Sequence, residues 1–340
     1  MNLAVSRLSV SEAGGQPKLV FSGVRHGVHC AWEINDANIR TAANVQRAKE
    51  AVIAAFLAKY DGSANPPSLP DAGPDGTINV PMHLSSVSLL TPDTIRHTIK
   101  KNSSSDERRM LVEQSAAWDT VARDGVTFQH NGRQIHIQPT IMKFNFGVNA
   151  GAVKFSKLNA TLFGGWDLST QMNTEAFAVL SQEAEAFIQN THNDEKTRNA
   201  ARVLLNQCRQ VFQAKGERKD SHDAYKLAAR VAVLTQLIGN VPCWNCKSGK
   251  DRTGEMDVEC KFLATLIARG ETIPAPGARL TEEQKGLFRS IALEGGNFEI
   301  QKMNTGLAGF KTGGVSSIPE RLGGKNYREF HSGGSQFVNV

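Results

Sequence analysis

The sequence predicts an α/β fold: a mixed sheet with flanking helices and a helix-rich insert. Three observations carry that prediction. Extended and helical segments alternate from residue 17 to 138, the pattern of a sheet covered by helices. Three helical segments then follow one another over about 173–238, with no strand between them. After them a short apolar segment, Leu237-Ile238-Gly239-Asn240-Val241-Pro242, leads through a polar loop into a helix near 255–268.

Residues 1–16 are polar and weakly patterned, which predicts an edge or a loose end. Residues 17–28 read as a strand with Leu19, Phe21 and Val24 as its apolar points. Residues 36–60 are alanine-rich and amphipathic, a helix that Asp61-Gly62 ends. The stretch 65–76 holds four prolines in company with glycine and aspartate, a breaker-rich loop. Residues 77–90 are extended, and 104–123 form a helix with Ser104 or Ser105 available to cap it. Alternation on both sides of Asn131-Gly132 predicts a hairpin over 126–138 with a type I′ turn. Phe144-Asn145-Phe146-Gly147-Val148-Asn149 follows. Helices are expected at about 173–191, 193–214 and 219–238, then the strand, loop and helix of 241–269, then a helix over 281–293. From Thr312 the chain is glycine-rich. This organisation gives three parts: a loose segment over 1–16, one domain over 17–311, and a partly flexible tail over 312–340.

Composition narrows the function. Apolar residues make up 40% and charged residues 21%, an ordinary globular balance that argues against a disordered chain. No apolar run approaches the ~20 residues that span a bilayer, and the first residues lack a signal peptide's apolar core. The formal charge of +6 favours acidic partners, from nucleic acid to anionic lipid to polyphosphorylated small molecules. Nucleic acid is the least expected of these, because no basic arm, zinc finger or RNA-binding signature accompanies the charge. The five cysteines are dispersed and odd in number, so they do not read as a disulfide framework. Cys243-Trp244-Asn245-Cys246 has redox-pair or half-zinc-site spacing, but no second ligand pair exists for zinc, and no metal or other cofactor is expected. A reversible Cys243–Cys246 disulfide is one further reading of that spacing.

The chemistry lies in Cys246-Lys247-Ser248-Gly249-Lys250-Asp251-Arg252-Thr253, where a cysteine and an arginine are separated by five residues. A loop between strand and helix, with small residues at Ser248 and Gly249, can turn its backbone N–H groups onto one phosphate, and the helix N-terminus adds positive potential. Arg252 offers a planar fork for two phosphate oxygens. Cys246 sits at the floor of that electropositive bowl, where a thiolate is stabilised and can attack phosphorus. This is the layout of a cysteine-dependent phosphatase. A nucleotide P-loop does not fit, since Asp251 stands where Ser or Thr is needed and Trp244 where glycine is needed.

The 245–254 segment and the 144–149 run resemble those of the type III secreted inositol phosphate phosphatases of enteric pathogens, the SopB/SigD and IpgD group. Val24-Arg25-His26-Gly27-Val28, Glu299-Ile300-Gln301 and Asn304-Thr305-Gly306 look similar too, so the likeness spans roughly 18–310. It implies a cysteine-phosphatase-like fold, a phosphocysteine intermediate and phosphoinositide or inositol polyphosphate substrates. It also implies signal-peptide-independent secretion into the host cell cytoplasm and peripheral association with an anionic host membrane. The family's long N-terminal region, which serves secretion, chaperone binding and contact with a host GTPase, is not in these 340 residues. The chain therefore reads as a catalytic fragment or a shorter relative, with those two partners reached through the region absent here. A protein tyrosine or dual-specificity phosphatase, and a non-catalytic phosphoinositide- or GTPase-binding module, are the competing readings.

Roles follow for single residues. Cys246 is the expected nucleophile and Arg252 the clamp on the equatorial oxygens. Thr253 is expected to donate to the sulfur or else to cap the helix. Lys247 and Lys250 suit a ligand with several phosphates, since one phosphate needs only Arg252 and the backbone. Asp251, at the loop position where myotubularin and Sac phosphatases also carry an aspartate, is the favoured general acid; Asp167 in Gly164-Gly165-Trp166-Asp167 is the rival. Asn145 and Asn149 are expected either to line the pocket or to brace the loop. Gln301 and Asn304 are weaker candidates on a second loop, and Arg25 and His26 are read as structural.

Overall fold

In the computed structural model the described residues are 2–11, 15–61, 67–92, 94–148, 166–214 and 224–305. Their strands are β1 (Leu3–Val10), β2 (Lys18–Gly27), β3 (Thr77–Ser88), β4 (Val126–His130), β5 (Arg133–Asn145) and β6 (Val241–Cys246). They form one mixed sheet in the order β1-β2-β6-β3-β5-β4. The four central strands, β2, β6, β3 and β5, run parallel, while β1 and β4 pair antiparallel at the two edges. The last of these strands thus lies between the second and the third. A late strand entering the centre creates the crevice beyond the strands' carboxyl ends where α/β sheets bind ligands.

Helices cover both faces. On one face α1 (Ala37–Tyr60) and α3 (Glu107–Asp124) lie against Val24, Ile78, Val80, Met82, Leu84, Val241 and Cys243. The alanines of α1 at 48, 51 and 55 are fully buried there, and their small size lets the helix sit close to the strands. On the other face α4 (Trp166–Gln189), α5 (Glu195–Gln213), α6 (Ala224–Leu237) and α7 (Asp251–Arg269) meet Phe21, Val87, Met142, Phe144 and Trp244. A short α2 (Thr94–Ile99) precedes α3, and α8 (Glu282–Glu294) and α9 (Asn297–Thr305) close the described chain. Every residue of β6 is buried, as expected of a parallel strand with helices on both sides.

Several sequence expectations hold in detail. The helix expected over 36–60 is α1; Asp36, to which the sequence assigned no separate role, is its N-cap and accepts from the N–H groups of Asn38 and Ile39. The β4–β5 hairpin turns at Asn131 and Gly132, with φ of 50° and 74°, the two positive values a type I′ turn needs. Others are corrected. Residues 1–16 are not simply a loose segment, because Leu3–Val10 is the sheet's edge strand, paired along β2. The cap of α3 is Asp106, which accepts from Arg109 N–H, and not Ser104 or Ser105. The segment with Gln301 and Asn304 is helical rather than a loop. Cys243 and Cys246 stand three residues apart on one strand, hence on opposite faces and about 10 Å apart, beyond disulfide reach. The glycine-rich tail over 312–340 lies outside the described residues.

Candidate active site

Strand register brings a polar row together at the carboxyl edge of the sheet. His26 lies opposite Asn245, Asn245 opposite Ser88, and Ser88 opposite Asn145. β6 ends there at Cys246, and after four intervening residues α7 begins at Asp251. Residues 246–253 thus run from the end of a central parallel strand into one helix N-terminus.

Cys246 is almost wholly buried, at 2% exposure. Burial works against its ionisation. The charge of Arg252 and hydrogen bonds from the Thr253 hydroxyl and from the N–H groups of Thr253 and Gly249 outweigh burial, holding the thiol below its ordinary value. Two other buried cysteines behave in the opposite way: burial pushes Cys243 up to about 12 and raises Cys260 as well. Thr253 is not the cap of α7, whose N-cap is Lys250. Its Oγ1 accepts from Cys246 N–H at 2.9 Å and its carbonyl accepts from Trp244 Nε1 at 3.1 Å, so it ties strand to helix beside the sulfur.

Arg252 is held in a fork. Its Nη2 donates to Glu107 Oε1 at 2.7 Å, and its Nη1 donates to Glu107 Oε2 at 3.0 Å and to the Leu89 carbonyl at 2.8 Å. Glu107 Oε2 also accepts from Thr91 N–H at 2.7 Å, which locks the carboxylate to the end of β3. A planar guanidinium gripped on one edge keeps its remaining donors in a fixed direction. Glu107 escaped sequence reasoning because it pairs across 145 residues and carries no local motif. The only available signal was an acidic residue in the first turn of a helix that follows a central strand.

The lysines take different environments. Lys247 is half-buried with its Nζ 5.2 Å from the centre of the Trp32 ring, a cation–π contact. Lys250 is buried at the helix cap position. Ser248 is exposed, whereas Gly249 is buried at φ 72°. A Cβ on Gly249 would lie 2.8 Å from Gly27 N and 2.9 Å from the His26 carbonyl carbon, so the close approach to β2 requires glycine. Asp251 is half-buried in the first turn of α7.

The remaining candidates separate. Asn145 is buried, and its backbone N–H and Nδ2 donate to Asn173 and Ser169 of α4 at 2.8 Å each, the contacts of a brace. Asn149 lies outside the described residues, as do the side chains of Gln301 and Asn304. Asp167 is exposed in the first turn of α4. His26 stacks on His29 at 4.5 Å, and burial drives His26 down to about 4, so this pair is neutral at physiological pH. Arg25 is buried beneath the loop, where its Nη2 lies 3.5 Å from the Gly249 carbonyl. Asn245 is fastened by Gln114, whose Nε2 donates to Asn245 Oδ1 at 2.9 Å.

Comparison with known proteins places the chain among relatives. Residues 1–320 match the family described as Enterobacterial virulence protein IpgD. The chain is 31% identical to the inositol phosphate phosphatase SopB of Salmonella bongori over 96% of its own length and 76% of that protein's. It is 32% identical to the inositol phosphate phosphatase IpgD of Shigella flexneri, covering 94% of this chain and 60% of that one. Against SopB of Salmonella typhi the identity is 33%, over 91% of this chain and 54% of the relative, so the chain spans little more than half of some relatives. Among solved structures, the Legionella phosphoinositide phosphatase SidF superposes with a TM-score of 0.61 at 11% identity, covering all of this chain and 69% of that one. Another solved structure of a Legionella phosphoinositide phosphatase gives 0.56 at 10% identity, over 99% of this chain and 67% of that one. These two likenesses are of fold.

Proposed function

The chain belongs to the enterobacterial virulence protein IpgD family, and on that premise we propose that it is a cysteine-dependent phosphatase of inositol phosphates and phosphoinositides. The observation that carries the reading is Cys246, a buried thiol held below its ordinary value by Arg252 and by Thr253 and Gly249 donors. Desolvation alone would have raised it, as it raises Cys243. Donors and a guanidinium gathered on one sulfur reverse that sign, the arrangement a nucleophilic thiolate needs.

The steps balance as follows. The Cys246 thiolate attacks phosphorus; the sulfur–phosphorus bond forms as the bond to the inositol oxygen breaks. Asp251 supplies the proton that the departing oxygen needs. Arg252, aimed by Glu107, and the loop N–H groups bear the charge on the equatorial oxygens. Water then attacks the phosphocysteine, gives its proton to Asp251, and releases phosphate as sulfur leaves again as thiolate, received by the Thr253 hydroxyl. An inositol hydroxyl can replace water in this second step, which would move phosphate to a new ring position.

Lys247 and Lys250 would engage further phosphates of the substrate. A protein tyrosine phosphatase has no use for two such cations, which favours an inositide. By its family the chain would act inside host cells, at an anionic membrane surface, with a secretion chaperone and a host GTPase as partners of the longer relatives.

Product analysis on a panel of labelled inositides tests the reading. Wild type should release phosphate, and Cys246→Ser should release none while keeping its fold, because a serine hydroxyl is far less ionised than a thiol. Lys247→Ala and Lys250→Ala should each slow multiply phosphorylated substrates by about 10- to 150-fold, the worth of a charged hydrogen bond, and spare nitrophenyl phosphate. Turnover by the serine variant sinks the mechanism. Equal losses on both substrates favour a protein substrate, and label found only in free phosphate removes the transfer step.

A further inference from the structure

Three successive carbonyls of the catalytic loop are held from behind. The Lys247 carbonyl accepts from Val28 N–H at 3.1 Å. The Ser248 carbonyl accepts from Asn2 Nδ2 at 2.6 Å. The Gly249 carbonyl faces Arg25 Nη2 at 3.5 Å. In a trans peptide the N–H of the next residue points opposite to the carbonyl. Restraining these three oxygens on the β2 side therefore turns the N–H groups of Ser248, Gly249 and Lys250 toward the bowl. The Gly249 N–H does reach the Cys246 sulfur, as that orientation requires.

Two of the three restraints are side chains, and both are fixed by residues outside the loop. Asn2 is anchored at the start of the edge strand, where its own carbonyl accepts from Gly27 N–H at 2.7 Å. Arg25 is fully buried and donates from Nη1 to Asn297 Oδ1 at 2.5 Å. Asn297 Nδ2 donates to Asp257 Oδ2 at 2.8 Å, and Asp257 also accepts from Ser6 Oγ of β1 at 2.5 Å and pairs with Lys261 at 2.9 Å. The edge strand thus meets the back of the loop twice, directly through Asn2 and through Ser6, Asp257 and Asn297.

We infer that Asn2 and Arg25 are positioning residues of the phosphate cradle: by restraining the Ser248 and Gly249 carbonyls they direct the N–H groups of Gly249 and Lys250 at the bound phosphate. Neither side chain touches the reacting atoms. Without Asn2 the Ser248–Gly249 peptide is free to rotate, and a carbonyl turned into the bowl would repel both thiolate and phosphate. Asn2→Asp is the sharper change, since a carboxylate cannot donate and repels the Ser248 oxygen. This inference rests on the reading of 246–252 as a phosphate-binding loop.

The test uses the full chain, vanadate as phosphate mimic, and the pH dependence of Cys246 alkylation by iodoacetamide. Asn2→Ala should weaken vanadate inhibition about tenfold, and Asn2→Asp more, the loss expected for one misdirected donor. Both should move the alkylation profile to higher pH, while Asn2→Gln, which keeps an amide donor, recovers part of each effect. Arg7→Ala is the control, because Arg7 Nη2 ties β1 to the Leu57 carbonyl at 2.9 Å and does not touch the loop. Asn2 variants that leave both readouts unmoved overturn the inference, as does an equal shift in Arg7→Ala. A wild type insensitive to vanadate would instead sink the phosphatase reading, so the two failures are distinguishable.

Discussion

Two tight turns of this chain each place a glycine in the left-handed region, and they do so for different reasons. Asn131-Gly132 joins β4 to β5 on the surface, and a Cβ added to Gly132 would meet nothing within 4 Å. Gly249 has nearly the same φ, yet a Cβ there would strike the backbone of His26 and Gly27 at 2.8–3.0 Å. The first turn is a local solution: residue type and strand twist suffice. The second is imposed from outside, by β2, by Asn2 and by Arg25. A loop that must keep backbone N–H groups aimed at one point cannot rely on local preference, and the molecule braces it with residues of β2 and with Asn2, which directly precedes β1.

The largest effect asks whether this braced loop is chemically complete or borrows its acid from elsewhere. Inositol oxygens are strongly basic and need a proton to leave, whereas nitrophenolate departs unaided. Asp251→Asn should therefore slow inositide hydrolysis by about 10²–10⁴-fold and nitrophenyl phosphate far less. Asp167→Asn, from the exposed first turn of α4, should give a modest loss that is the same for both substrates. If the leaving-group dependence follows Asp167 instead, the acid belongs to a separate segment and the loop is not self-contained.

Next in size is Gly249→Ala, expected to cost about 10²-fold in kcat/KM, the loss of one well-placed oxyanion donor. Its cause is displacement of the loop from β2, so vanadate affinity should fall in step. An alanine variant with near-normal turnover would place Gly249 beside Gly132 as a merely local turn and erase the contrast.

A smaller and graded effect is read in pH. The Cys246 thiol lies below its ordinary value, so its thiolate survives to lower pH than that of a free cysteine and is lost as pH falls through that depressed value. The acid limb of kcat/KM and the alkylation rate of Cys246 should fall together there. Cys243, pushed up to about 12, should stay unmodified at neutral pH in the same mass-spectrometric assay. Comparable labelling of both would mean that the bowl does not stabilise the thiolate.

The contrast also explains what could be read from the sequence. The strand, loop and helix of 241–269 and the type I′ turn each depend on a few neighbouring residues, and both were legible. The Cys246–Arg252 spacing was legible for the same reason. Glu107, Asn2 and Gln114 were not, because each reaches its partner over 131 residues or more by way of strand order. That order is itself hidden: nothing local says that β6 inserts between β2 and β3. Arg25 was visible as a residue but read as structural, since its place behind Gly249 appears only when β2 and β6 are paired. Asp106 displaced the expected serine caps because His97 and Asn102 N–H also converge on its carboxylate.

The smallest expected effect completes the comparison from the other side. At Gly132 an added methyl meets empty space, so the only penalty of Gly132→Ala is the left-handed backbone, about 1–2 kcal/mol. Part of that is returned because alanine loses less chain entropy than glycine on folding. Denaturant melting should show a loss near 1 kcal/mol with an unchanged slope. kcat/KM on an inositide, vanadate affinity and the alkylation profile of Cys246 should all match wild type, since β4 forms the far edge of the sheet, three strands from β6. A change in any of these three would mean that the far edge is coupled to the catalytic loop, and that the hairpin is not the independent local unit its geometry makes it.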